Sequence, residues 1–104
     1  MHDWIGVDFD GTLAKSTKDN SLGAPVAKMV QRIKHHILAG DTVKIFTARM
    51  EDKDRIKAWT KKHLGCALEV TDRKDHCMRL AYDDKIKQVV RDQGTIVGEN
   101  SFGE

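Results

Sequence analysis

The chain has 104 residues, 39% of them hydrophobic, which suits one domain over 1–104 with a single core and leaves no length for a second domain. A formal net charge of +2 excludes any argument from charge alone for nucleic acid or a membrane surface, and no apolar run approaches the ~18 residues of a bilayer span. The opening Met1-His2-Asp3-Trp4 lacks the basic-then-apolar shape of a signal peptide, so a cytoplasmic protein without a membrane partner is expected.

The first predicted element is the apolar run Trp4-Ile5-Gly6-Val7, a strand that breaks off into Asp8-Phe9-Asp10-Gly11. Residues two apart on a strand leave the backbone on the same side, so Asp8 and Asp10 are expected together at its tip. Two like charges there cost free energy unless a cation compensates them. Gly11 lets the chain turn and brings backbone N–H groups near a ligand. Residues 11–24 are polar and far longer than the about 2–6 residues of an ordinary strand-to-helix loop, so they are expected as a flap over the aspartates.

Pro25 suits the first turn of a helix whose apolar positions are Val26, Met29, Val30, Ile33, Ile37 and Leu38, ended by Gly40. Thr42-Val43-Lys44-Ile45-Phe46-Thr47 is a bounded, β-branched second strand. A second helix starts near Glu51, with Glu51, Asp52 and Asp54 at its N-terminus, Lys61, Lys62 and His63 at its C-terminus and Gly65 as its stop. A short third strand runs from Leu68 to Thr71. The polar turn Asp72-Arg73-Lys74-Asp75 then leads to a fourth, Met78 to Tyr82, closed by Asp83-Asp84. Gln88–Val90 and Thr95–Val97 are weaker strand candidates around Asp92-Gln93-Gly94. This order predicts an α/β fold, a doubly wound and mainly parallel sheet with helices on both faces. Ligands of such sheets sit at the carboxyl ends of the strands.

That rule gathers Asp8, Asp10, Thr47, Lys74, Asp83 and Asp84 at one edge. Acidic residues at a strand end are ordinarily solvated loop residues, and either pair alone carries that plain reading equally well. Both pairs together, with Thr47 and Lys74 between them, argue for a site. Four carboxylates in one crevice call for a hard divalent cation, and Mg2+ takes one or two carboxylates together with waters and substrate phosphate. Asp83 and Asp84 are candidate metal ligands without a choice between them. A carboxylate beside Mg2+ can attack phosphorus and form an acyl phosphate, a role that suits Asp8 at the end of its strand. Asp10 can protonate the leaving alkoxide and then take a proton from water. Thr47 offers a hydroxyl to a phosphoryl oxygen, and Lys74 offers neutralising charge. Other metal chemistry finds no pattern: Cys66 and Cys77 are neither C-x-x-C nor part of a second pair, so reduced thiols are expected, and the five histidines show no H-x-x-x-H spacing.

Asp8-Phe9-Asp10-Gly11-Thr12 resembles the D-x-D-G-T signature of the haloacid dehalogenase-like hydrolase superfamily. Phe46-Thr47-Ala48-Arg49 is similar to its second motif, Lys74 to its third and Tyr82-Asp83-Asp84 to its acidic fourth, all in the family's order across residues 4–90. The resemblance implies a Rossmann-like core, Mg2+ dependence and an aspartyl-phosphate intermediate on Asp8. It further implies Asp10 as general acid/base, with its backbone carbonyl on the metal beside Asp8, Asp83 and Asp84. Thr47, Ala48, Arg49 and Lys74 are then the phosphate-binding positions.

Most members carry a cap domain after the first or third motif, for which this chain has no room. An open site is expected, shielded by residues 11–24 or by another subunit of a homo-oligomer. It would admit a small phosphorylated molecule or a nucleic-acid end. A dehalogenase would need neither the metal nor Asp10, a phosphomutase would need a cap, and a response-regulator receiver has its acidic pair before its Thr and Lys, not after. A domain that binds phosphate and metal with little turnover is the remaining alternative. Arg49 has two expected uses, a substrate phosphate or an ion pair with a loop carboxylate. Lys53, Lys57 and Lys61 form a stripe on the second helix that reads as a solvated face, while Ile56 and Trp59 read as core.

Overall fold

Residues 3–84 are described by a computed structural model of the chain. Strand β1 (Trp4–Asp8) is followed by helix α1 (Ala27–Leu38), β2 (Thr42–Phe46), a single 3-10 turn (Met50–Asp52), α2 (Lys53–Leu64), β3 (Glu69–Thr71) and β4 (Met78–Tyr82). The strands form a parallel sheet in the order β3-β2-β1-β4, so the described residues make a small α/β protein with two helices. The candidate strands at 88–90 and 95–97 lie outside the described residues.

Strand alternation divides the sheet into two unlike faces. Ile5 pairs with Val43, Val7 with Ile45 and Ile45 with Val70, and all five side chains are buried in one apolar cluster. Val30 and Ile33 of α1 and Ile56, Trp59 and Leu64 of α2 close that cluster, and the two helices touch each other. Burying side chains of this size contributes about 1.5–3 kcal/mol each and holds the sheet together.

The other face carries Trp4, Gly6, Lys44 and Phe46, and the chain between β3 and β4 folds against it. Trp4 Nε1 donates to Asp75 Oδ1 at 2.7 Å, and the Lys74 ammonium sits 5.1 Å from the Phe46 ring centroid. A second layer of helix is expected here, yet among the described residues this face is covered by a six-residue connection. Residues 72–77 have no length for a helix while also reaching from one edge of the sheet to the other.

Two boundaries differ from expectation for local reasons. Pro25 does not open α1. It forms an antiparallel bridge with Ala14, the Val26 N–H donates to Leu13 O at 2.8 Å, and the helix begins at Ala27. Leu38 is not core: it is 87% exposed at the last turn of α1, beyond the reach of the sheet. Gly65 does stop α2, with φ of +91° and its N–H donating to Lys61 O, the left-handed ending that glycine favours.

The long connection from β1 to α1 is pinned at both ends. Its two limbs meet where the Lys15 N–H donates to Ala24 O at 2.8 Å, and Trp59 Nε1 donates to Gly23 O at 3.0 Å. Gly23 allows this closeness, since a Cβ there would stand 1.8 Å from Lys15 O. The tip, residues 15–21, is exposed.

Candidate active site at the tips of β1 and β4

Phe9 fixes the position of the first acidic residue. Its ring is fully buried and meets Trp59 edge-on, with centroids 4.9 Å apart and planes at 82°. With Phe9 locked below, the chain turns at once: Leu13 and Ala14 donate to Phe9 O at 3.1 and 2.9 Å, and Gly11 adopts φ of +87°. Gly11 also faces the site, where a Cβ would stand 2.9 Å from Asp84 Oδ2. Only glycine satisfies both demands.

Because β4 lies beside β1 and runs parallel to it, the residues that follow Tyr82 arrive next to Asp8. Carboxylate oxygens of Asp8, Asp83 and Asp84 lie within 4.8 Å of one another. Thr12, 7% exposed, ties the two tips together. Its hydroxyl donates to Asp84 Oδ1 at 3.0 Å, lies 3.5 Å from Asp8 Oδ2 and accepts the Asp84 N–H at 3.0 Å. Beside the cluster is a cleft of about 280 Å3 lined by Gly11, Thr12, Met29, Tyr82, Asp83 and Asp84.

The electrostatics follow from this crowding. Burial pushes the Asp8 carboxyl up from 3.8 to about 6, helped by the Asp83 charge and by the hydrogen bond and charge of Asp84; the Phe9 N–H acts weakly in the opposite sense. The donor set is all hard oxygen, its members repel one another, and they are close enough to share one ion, so Asp8, Asp83 and Asp84 fit a hard divalent cation such as Mg2+.

The side chains of the remaining sequence candidates do not join this cluster. Asp10 lies beyond the end of β1, so the two-residue alternation no longer governs it; its carboxylate faces Arg49, with Nε at 3.7 Å. Thr47 follows β2 directly and is 3% exposed, its N–H donating to Thr71 O and its hydroxyl accepting the Arg49 N–H at 3.2 Å. Ala48 is exposed. Arg49 takes the loop ion pair among its two expected uses: Nε is 3.1 Å from Asp52, and Nη2 donates to Asn20 O at 3.3 Å. Lys74 is exposed and packs on Phe46, with no ion pair to Asp8 among the described residues.

Three contributors had no role assigned from sequence. Thr12 was visible as a hydroxyl directly behind the glycine turn, four residues from Asp8. Tyr82 and Met29 line the cleft, but only strand register and helix facing reveal that. No protein-family model matches the chain, and neither does any curated protein or solved structure.

Proposed function

We propose that this chain is a Mg2+-dependent phosphohydrolase that cleaves phosphate monoesters through an aspartyl phosphate on Asp8. The single observation that carries the reading is the meeting of Asp8, Asp83 and Asp84 within 4.8 Å, at the tip where the sequence also sets D-x-D-G-T. The reading extends the described α/β sheet to a Rossmann-like, doubly wound core, and it extends the resemblance to the haloacid dehalogenase-like hydrolases from motifs to chemistry.

In this mechanism a carboxylate oxygen of Asp8 forms a bond to phosphorus as the ester P–O bond breaks, and Asp10 gives its proton to the departing alkoxide. Water then attacks the phosphorus of the acyl phosphate, Asp10 takes its proton, and inorganic phosphate leaves with Asp8 restored. Asp8, Asp83 and Asp84 would hold Mg2+, which supplies the positive charge that offsets repulsion between the anionic nucleophile and the anionic substrate. Thr12 keeps Asp84 oriented for that task. The Asp10 carboxylate rests 3.7 Å from Arg49 Nε, an ion-pair contact rather than a hydrogen bond.

A second reading, a domain that binds metal and phosphate with little turnover, draws on two contacts: Arg49 faces Asp10, and Lys74 lies over Phe46. A panel of phosphorylated metabolites, nucleotides and end-phosphorylated oligonucleotides, assayed with Mg2+ or EDTA, separates the two. Hydrolysis in Mg2+ that falls by about 10³-fold or more in Asp8→Asn supports the enzyme. Hydrolysis that persists in EDTA or in Asp8→Asn refutes it.

A further inference from the structure

Tyr82 lines both the cleft at the acidic cluster and a second, larger open groove of about 530 Å3, whose other lining residues are Lys28, Gln31, Arg32, His35 and His36. Lys28, Gln31, Arg32 and His35 stand at i, i+3, i+4 and i+7 of α1 and so form one continuous stripe about 10 Å long. Among the described residues no carboxylate lines this groove. Asp41, the partner of His36, is engaged by His36 Nδ1 at 2.9 Å and by Arg79 Nη2 at 2.9 Å.

The groove floor is held in place. His36 is fixed between Asp41 and the Tyr82 hydroxyl, which it meets through Nε2 at 3.0 Å. The Arg32 guanidinium carbon lies 5.9 Å from the Tyr82 ring centroid, within cation–π range, and the residue is exposed. Two permanent cations and an exposed imidazole thus line a groove that shares one tyrosine with the cleft at the acidic pole. An arginine fork beside a lysine matches the oxygens of a phosphoryl group better than those of a neutral ligand.

We propose that the Lys28–Arg32–His35 stripe binds a second phosphoryl group, carried by the substrate at a distance from the one that meets Asp8. The proposal rests on the phosphohydrolase reading for which phosphate is cleaved, but not for the binding itself. It defines the substrate class as bisphosphates, or a phosphorylated chain end whose next phosphate falls on the stripe.

The test uses α,ω-alkanediol bisphosphates of increasing chain length and the matching alkyl monophosphates, with a terminally phosphorylated oligonucleotide as a separate arm. In the full chain with Mg2+, kcat/KM for the best bisphosphate exceeds that for its monophosphate by about tenfold or more, with an optimum in chain length. In Lys28→Gln/Arg32→Gln that ratio falls toward one. In Lys61→Gln/Lys62→Gln, which removes the same charge from the end of α2, the ratio is unchanged. An oligonucleotide that beats every bisphosphate and needs the same two cations supports the second-phosphate site and assigns it to a chain end. Calorimetric titration of the bisphosphate into each folded variant, checked by circular dichroism, gives the readout that does not depend on turnover. Binding weakened about tenfold by Lys28→Gln/Arg32→Gln with no hydrolysis of any substrate overturns the phosphohydrolase reading and leaves the groove. Hydrolysis in which neither ratio nor binding responds to Lys28 and Arg32 overturns the groove and leaves the phosphohydrolase.

Discussion

The tips of β1 and β4 and the tips of β2 and β3 are built from similar polar residues, yet only the first pair makes a converged cluster. At β1 and β4 the side chains follow directly from two hydrogen-bonded neighbours, and the Thr12 hydroxyl bonds across the gap between them. At β2 and β3 each polar residue is held by a partner outside the cluster: Thr47 by the Arg49 N–H, Arg49 by Asp52 and the flap, Lys74 by the Phe46 ring. Since β2 and β3 are hydrogen-bonded parallel neighbours too, register alone does not make a cluster; the difference is the Thr12 hydroxyl, which bonds across from one tip to the other only at β1 and β4 among the described residues. The groove past Tyr82 belongs to the first region, because β4 and α1 build it.

The largest expected effect is electrostatic and reads the β1–β4 cluster directly. Asp8 has its folded pKa raised to about 6 from 3.8, so without metal the stabilising, protonated state is fully available below about 3.8 and is lost as pH rises through about 6. Asp8→Asn removes the penalty of the ionised form. The metal-free variant should therefore melt above the parent at pH 7–8, and the two should converge below pH 4. Mg2+ should raise the melting temperature of the parent and narrow the difference at pH 7–8. Melting curves at both pH values, with Mg2+ and with EDTA, check this. A gap of equal size at pH 3.5 and pH 7.5 would show that the three carboxylates do not share one field.

A smaller effect separates the two threonines. Thr12→Val leaves the Asp84 N–H without its acceptor and frees the Asp84 carboxylate, which should cost about 0.5–1.5 kcal/mol and weaken Mg2+ binding about tenfold. Thr47→Val likewise removes an acceptor, that of the Arg49 N–H, and should cost about as much stability while leaving Mg2+ affinity unchanged. Thermal unfolding and a calorimetric Mg2+ titration on both variants decide the matter. If Thr47→Val weakens Mg2+ as much as Thr12→Val, the distinction between the two regions fails.

Much of this was readable in the sequence where the chain's own periodicity governs. The β-branched runs, the buried alternation of Ile5, Val7, Val43 and Ile45, and the glycine stop after α2 all follow from patterns within about a dozen residues. The meeting of Asp8 with Asp83 and Asp84 was readable because strand order and the carboxyl-end rule place both at one edge. What was hidden depends on partners far apart in sequence. Nothing local to Asp10 announces Arg49, and nothing local to Lys74 announces Phe46. Pro25 looked like a helix opening because its bridge to Ala14 is a tertiary contact. The stripe on α1 was likewise invisible, since its meaning comes from Tyr82 arriving from the other end of the chain.

Lys74 offers the smallest expected effect on stability and the sharpest question about the β2–β3 region. An exposed ammonium on an aromatic face is worth about 0.5–1 kcal/mol, so Lys74→Met, which keeps a flexible apolar stem over Phe46, should change the melting temperature very little. The resemblance, by contrast, asks Lys74 to neutralise a phosphoryl group. Those demands are compatible only if substrate draws the side chain off the ring and toward Asp8, one strand away, since Asp8 and Phe46 are register partners. Steady-state kinetics of Lys74→Met resolve the conflict. A fall in kcat/KM of about 10²-fold or more, with stability unchanged, means that the cation leaves Phe46 in the catalytic complex and that the β2–β3 tips converge on the site when substrate arrives. A fall of less than about threefold keeps Lys74 where it rests and confines the working groups to the β1–β4 half of the sheet edge.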